Sequence, residues 1–165
     1  MGYAYFSPKQ RKVLTWWMPG NSDYGREAIV CDGAVRSGKT LAMGLGFFLW
    51  AMTCFDGKRF GVCGKTIASL RRNVLSEILP RLKALGADWK EKRTENLVTV
   101  TFKGHRNQFY IFGGRDESSA SLISRARACL LFRLSQITPY TTSFLLSLLP
   151  RQLLHSPLSA VLSAV

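Results

Sequence analysis

The sequence predicts a three-layer α/β fold on a mainly parallel sheet. Three observations predict it. Short apolar runs alternate with longer stretches of helical character, in β-α-β-α order. A Gly-rich turn joins the first run to the first long apolar stretch. The 165 residues suit one domain, and a chain of that size buries roughly 70% of its unfolded surface.

Residues 27–31 (EAIVC) form a short apolar run before the Gly-rich turn and read as a buried strand. Residues 40–53 are long and apolar enough for a buried helix, closed by the Asp56-Gly57 turn. Residues 60–63 (FGVC) read as a second short strand. From 67 to 85, apolar residues recur at a 3.6-residue period, with Arg71, Arg72, Arg81 and Lys83 on other faces. Gly86 fits the stop of that helix. Residues 97–102 alternate as LVTVTF and 108–112 follow across 103–107, which predicts a hairpin.

Composition narrows the function classes. Lys and Arg number 23 against 10 Asp and Glu, a net charge of +13. That excess points to a polyanionic partner, nucleic acid first, against the alternative of a merely basic surface. Apolar residues at 47% and charged residues at 20% exclude disorder of the whole chain. The cysteines at 31, 54, 63 and 129 lie far apart without a CxxC. Neither a zinc site nor a disulfide framework is expected, and reduced intracellular thiols are. The charge-free stretch 41–55 is short of the ~20 residues a membrane span needs, so no membrane role is expected. Residues 1–12 carry no apolar leader segment.

The character of the chain changes late. All ten acidic residues fall at or before Glu117, and the last Lys and Gly are Lys103 and Gly114. From 118 onward the only charges are Arg125, Arg127, Arg133 and Arg151, and Pro139, Pro150 and Pro157 interrupt any periodicity. A helical subdomain and an interfacial membrane segment are two readings. The favoured one is a segment that does not continue the first part, as after a frame change, an insertion junction or a damaged coding region.

The chemistry concentrates at 33–40. Gly33-Ala34-Val35-Arg36-Ser37-Gly38-Lys39-Thr40 matches GxxxxGK[ST] in full, with an apolar strand before it and a helix after. The alternative is an ordinary strand–turn–helix that matches by chance. Gly33 and Gly38 let the backbone turn tightly around an anion. The loop amides and the helix N-terminus then point at phosphates. Lys39 is expected at the β- and γ-phosphates of ATP and the Thr40 hydroxyl on Mg²⁺. Arg36 either stabilises the γ-phosphate or is simply exposed. Upstream, Gln10 has a donor and an acceptor that can read an adenine edge, although a surface role is the better reading of a lone Gln.

Taken together, FSPKQ, GAVRSGKT, FGVCGKTIASLRRNV and FGGRDESSASLI resemble, in that order, the large terminase subunit of tailed bacteriophages, the ATPase of the DNA-packaging motor. The similarity covers about residues 5–123. It implies a P-loop NTPase of the helicase-like, additional-strand type, incomplete here, with a nuclease domain following in the family. It implies an adenine contact for Gln10 and the phosphate and Mg²⁺ roles already given. Lys65-Thr66 and Arg71-Arg72 fall where such motors carry basic residues; phosphate contact with DNA and a solvated helix face are both open for them. Double-stranded DNA, the terminase small subunit and the portal protein are the implied partners, and the bacterial cytoplasm the implied location.

The departure from the family is equally informative. The family continues into an apolar strand ending in Asp-Glu, the Walker B pair. Here the run 128–132 is followed by Arg133 and Leu134, and no acid lies downstream. Asp116-Glu117 are expected to be loop residues. The sequence therefore reads as an N-terminal ATPase part, 1–123, and an aberrant Leu/Ser/Arg-rich tail, 124–165, expected to be poorly ordered and without the nuclease domain. The sheet would lack its Walker B strand unless 128–132 substitutes for it. Negligible ATP turnover is expected, because Mg²⁺ and water lose their positioning carboxylates. Two other function classes are a small-molecule P-loop kinase, which would need a lid that the hairpin after Gly86 does not offer, and a non-catalytic basic remnant that binds nucleic acid.

Overall fold

The structure, a computed structural model, describes residues 6–26, 28–31, 34, 36–113, 129–132 and 161–164. It has the expected α/β fold. In chain order the elements are α1 (Pro8–Leu14), β1 (Ala28–Cys31), α2 (Lys39–Cys54), β2 (Arg59–Gly64), α3 (Ile67–Leu70), a π turn (Arg71–Leu75), α4 (Ser76–Ala84), β3 (Asp88–Lys92), β4 (Leu97–Phe102), β5 (His105–Gly113), β6 (Cys129–Phe132) and β7 (Val161–Ala164). The strands form one mixed sheet in the order β1-β7-β6-β2-β5-β4-β3. Strands β1, β7, β6, β2 and β5 run parallel, while β4 pairs antiparallel with β5 and β3 with β4.

Helix α2 is the centre of the core. It is apolar around its whole circumference, which a helix tolerates only when packed on all sides. Ala42 through Phe48 and Trp50 through Met52 are buried. Phe47 meets Phe60 of β2 and Phe109 of β5 edge-on, at 5.8 and 6.3 Å between ring centroids. Phe48 stacks on Phe109 at 4.2 Å. On its other side Trp50 packs against Trp16, just beyond α1, at 5.4 Å. These rings tie the helix that follows the Gly-rich loop to the middle of the sheet.

The elements at 28–31, 39–54 and 59–64 lie where the apolar runs predict them. The 67–85 helix forms but is not uniform: its second turn is a π turn, and Pro80 sits inside α4. The hairpin is tighter than its sequence suggests. Its loop is only Lys103-Gly104, both at positive φ (49° and 85°), and β5 already begins at His105. Helix α1 and strand β3 are additional, as is β7. Helix α1 starts at a capping box in which the Ser7 hydroxyl accepts the Gln10 amide and Gln10 Oε1 accepts the Ser7 amide at 2.8 Å. Strand β3 (DWKEK) is mostly charged and exists because β4 pairs with it along its whole length.

Strand β6 is the run that the sequence offers as a substitute strand, and it pairs in parallel with β2 from Gly61↔Cys129 to Cys63↔Leu131. Strand β7 stands between β1 and β6. Both belong to the segment whose sequence reads as an aberrant tail; the remainder of 124–165 and the boundary at 123 lie outside the described residues. No helix among the described residues is long and apolar enough to cross a membrane.

Candidate functional site

The site forms at the C-terminal end of β1, where the chain turns into α2. Gly33 and Val35 lie outside the described residues. The others of the motif are in place. The turn closes through the Ser37 amide donating to the Ala34 carbonyl at 3.2 Å. Arg36 and Gly38 take left-handed backbone conformations, φ 65° and 77°. At 38 that conformation suits only glycine well, and Gly38 caps α2 without any side-chain hydrogen bond. Lys39 is the first residue of α2, and its Nζ donates back across the turn to the Ala34 carbonyl at 2.9 Å. Thr40 follows it and is exposed, as is Arg36. The arrangement concentrates a cation, a helix N-terminus and a tight turn in one place, the combination that holds an anion.

Gln10 belongs to this site by contact. Its Nε2 donates to the Ser37 carbonyl at 2.7 Å, while its Oε1 caps α1. One side chain therefore ties the first helix to the loop. What brings α1 close enough is Gly46 of α2. A Cβ there would stand 2.9 Å from the Leu14 carbonyl oxygen, so only glycine admits the approach. Sequence reasoning misses Gly46, which reads as one more residue of an apolar helix. The Ser7-Pro8-Lys9-Gln10 capping pattern is the signal by which α1 can be found.

The end of β1 senses the same charge. Burial pushes the Cys31 thiol above its ordinary value; the Lys39 ammonium partly offsets this, and Asp23 adds to it. Cys31, Cys54 and Cys63 are thiols rather than disulfides, and no group of three metal-binding side chains occurs among the described residues.

Arg71 and Arg72, side by side in sequence, have different surroundings. Arg71 Nε donates to Glu91 Oε1 at 2.6 Å and its Nη2 to Asn96 Oδ1 at 3.0 Å and the Arg93 carbonyl at 3.3 Å. It thus fastens the π turn to β3 and the β3–β4 turn. Arg72 is exposed and donates to its neighbour Asn73, at 3.2 Å. Thr66 caps α3 through Ser69, and Lys65 is exposed. Asp116 and Glu117 lie outside the described residues.

No protein-family model and no curated protein matches the chain. Solved structures do. The large terminase of a thermophilic bacteriophage, in complex with ADP, aligns at 35% identity and a TM-score of 0.82, over 96% of this chain and 38% of that one. The same protein in complex with ATP-γ-S aligns at 32% identity and 0.81, over 97% and 38%. The HK97 bacteriophage large terminase shares the fold at 10% identity and a TM-score of 0.68, over 99% and 34%. The chain thus spans under two fifths of the thermophilic phage protein's length. With about a third of its residues matching that protein over nearly all of its own length, on a shared fold, this chain fits a fragment of a bacteriophage large terminase.

Proposed function

We propose that this chain is the ATP-binding part of a motor that packages double-stranded DNA into procapsids, and that these residues bind nucleotide without hydrolysing it. The single observation that carries the binding half is the loop itself: Gly38 in a left-handed turn at the start of a buried 16-residue helix, with Lys39 bonded across it and Gln10 behind it. The thermophilic phage terminase, solved with ADP and with ATP-γ-S, supports the same ligand class.

In this reading the Lys39 ammonium and the loop amides would hold the β- and γ-phosphates, and Gly33, Ala34, Val35, Arg36, Ser37 and Gly38 would be the other nucleotide-binding residues. The Thr40 hydroxyl would hold Mg²⁺, which would supply charge neutralisation at the phosphates. Gln10, whose Nε2 keeps a second N–H beside its bond to the Ser37 carbonyl, would read an adenine edge. The inactive half rests on the residues after β6, which are Arg133 and Leu134 rather than an acid pair. Without an acid to order the metal and the attacking water, bound ATP has no hydrolytic partner. Arg72 is offered to DNA phosphate, and Arg71 supports it from behind. Small terminase subunit and portal are the partners by family, in the bacterial cytoplasm.

The test is a titration of the 165-residue chain with a fluorescent ATP analogue and Mg²⁺, beside Lys39→Ala. Saturable binding that weakens tenfold or more in the variant is expected, since a charge-assisted contact contributes about 1.5–3 kcal/mol. Phosphate release at the level of the blank is expected for both. No saturable binding would overturn the nucleotide site, and turnover abolished by Lys39→Ala would overturn the inactive half.

A further inference from the structure

The sheet has two faces, and they differ sharply at the β2-β5-β4-β3 end. One carries Phe60, Phe109, Val98 and Val100, all buried, beneath α2 and α4. Because side chains alternate along a strand, the paired residues of the intervening positions share the opposite face. The register aligns Arg59 with Gln108, Gln108 with Thr99 and Thr99 with Lys90. One row across four strands therefore reads Arg-Gln-Thr-Lys. The next row places Arg106 beside Thr101 and Asp88. Arg59, Lys90, Thr101 and Arg106 are exposed, and Gln108 and Thr99 are half-buried.

From this we infer that these two polar rows of the β2-β5-β4-β3 sheet, which end where buried Leu97 and Phe112 continue the same face, are a docking surface for the phosphate backbone of duplex DNA. The inference rests on the packaging reading above and adds a surface that neither the Gly-rich loop nor Arg72 provides. Charge selects the occupant. None of Arg59, Lys90 and Arg106 forms an ion pair with another described residue, and Asp88 is the one acid on these two rows. A second copy of this chain, itself at +13, is a poor complement. An apolar packing partner is a poor one too, because the rows present Thr, Gln and charged ends rather than a hydrophobic core. Phosphate oxygens accept from all of these side chains. The row also has a suitable span. Three inter-strand steps separate Arg59 from Lys90, about 14 Å, so that long basic side chains at its ends can reach phosphates on both sides of a major groove about 12 Å wide. Contacts of this kind are independent of base sequence, which suits a protein that must track any duplex.

The experiment is fluorescence anisotropy of a duplex of about 30 base pairs with the full chain, across roughly 50–200 mM KCl. It compares the wild type, an Arg59→Gln/Lys90→Gln/Arg106→Gln triple and a control triple, Lys12→Gln/Arg26→Gln/Lys83→Gln. Loss of three phosphate contacts flattens the slope of log affinity against log salt by about 2.7 and lowers low-salt affinity more than about tenfold. The control removes equal charge elsewhere and is expected to change the slope by less than about one. ATP-analogue binding is expected to be unaltered in the face triple, which separates failure of this surface from failure of the nucleotide site. Should the triple fail to bind the analogue, Arg106→Gln alone is read for a slope change of about 0.9. An unaltered slope in a variant that still binds the analogue would overturn the inference, as would equal loss in the control.

Discussion

Gln10 and Gly38 occupy one small volume. A Cβ on residue 38 would stand 2.6 Å from Gln10 Nε2, the atom that donates to the Ser37 carbonyl. Two penalties therefore meet in Gly38→Ala. The backbone there is left-handed, at φ 77°, and the added methyl displaces the amide that fixes the loop. The left-handed backbone alone costs about 1–2 kcal/mol. We expect Gly38→Ala to lower the thermal midpoint and to weaken ATP-analogue binding at least about tenfold. Adding Gln10→Ala removes the clash but not the backbone strain. The double variant is expected to recover part of the melting temperature and little of the binding. Strict additivity of the two substitutions in a double-mutant cycle would show that the residues do not interact.

What the sequence discloses, and what it hides, follows from the physics of each element. Helix α2 and strands β2 and β4 are runs whose apolar residues have one environment, so pattern alone locates them. Gln10 is identifiable as a hydrogen-bonding side chain, but its contact with Ser37 spans 27 residues and depends on Gly46 letting α1 approach. No local pattern encodes that. Strand β3 is hidden because an edge strand can be mostly charged. The start of β5 is hidden by Asn107, a polar residue pointing into the core. The split between Arg71 and Arg72 is hidden for a similar reason: the partner of Arg71 lies 20 residues on, in an edge strand that the sequence does not announce.

Asn107 is fully buried and makes a compact set of bonds. Its Nδ2 donates to the Ala51 and Phe55 carbonyls at 3.0 and 2.8 Å, and its Oδ1 accepts the Lys58 amide at 2.8 Å. It closes the C-terminal end of α2 and fixes the following turn against β5. Asn107→Leu would remove all three of these hydrogen bonds, each worth about 0.5–1.5 kcal/mol net, and leave the Lys58 amide without its side-chain acceptor. We expect a loss of roughly 3 kcal/mol or more, read as a lower urea midpoint. A change under about 0.5 kcal/mol, the range of ordinary surface substitutions, would mean that water satisfies the groups instead.

Cys31 gives the chain a pH dependence on the alkaline side. Burial raises its thiol above the ordinary 9.0, so the folded protein keeps a proton that the unfolded chain releases. Where the unfolded state binds fewer protons, stability falls with rising pH. The contribution is thus complete below pH 9.0 and is lost as pH climbs from there through the raised folded-state value. Tyr and Lys side chains titrate nearby, so the measurement is a difference. The urea midpoint of the wild type is expected to fall more between about pH 8 and 10.5 than that of Cys31→Ala. Lys39→Ala removes the charge that opposes the shift, and with it the fall steepens. Parallel pH profiles for wild type and Cys31→Ala would contradict this account.

Arg71 and Arg72 separate stability from binding. Arg71 is mostly enclosed and holds Glu91, Asn96 and the Arg93 carbonyl, so its loss leaves a partly buried carboxylate without its nearest cation. The remaining ion pair of Glu91, with Arg93 at 3.7 Å, involves a largely exposed side chain and compensates poorly. Arg71→Ala is expected to cost about 1.5–3 kcal/mol, the range for hydrogen bonds to charged groups. Arg72→Ala removes an exposed side chain and is expected to stay within about 0.5 kcal/mol of the wild type. On DNA the order reverses in kind. Arg72→Ala is expected to flatten the salt dependence of duplex binding by about 0.9 with no change in melting temperature. Arg71→Ala acts on binding only as far as the π turn loosens, so Arg71→Lys, which keeps the charge but not the fork of donors, is expected to lose stability while keeping the slope. A slope unchanged in Arg72→Ala would assign that face of the helix to solvent.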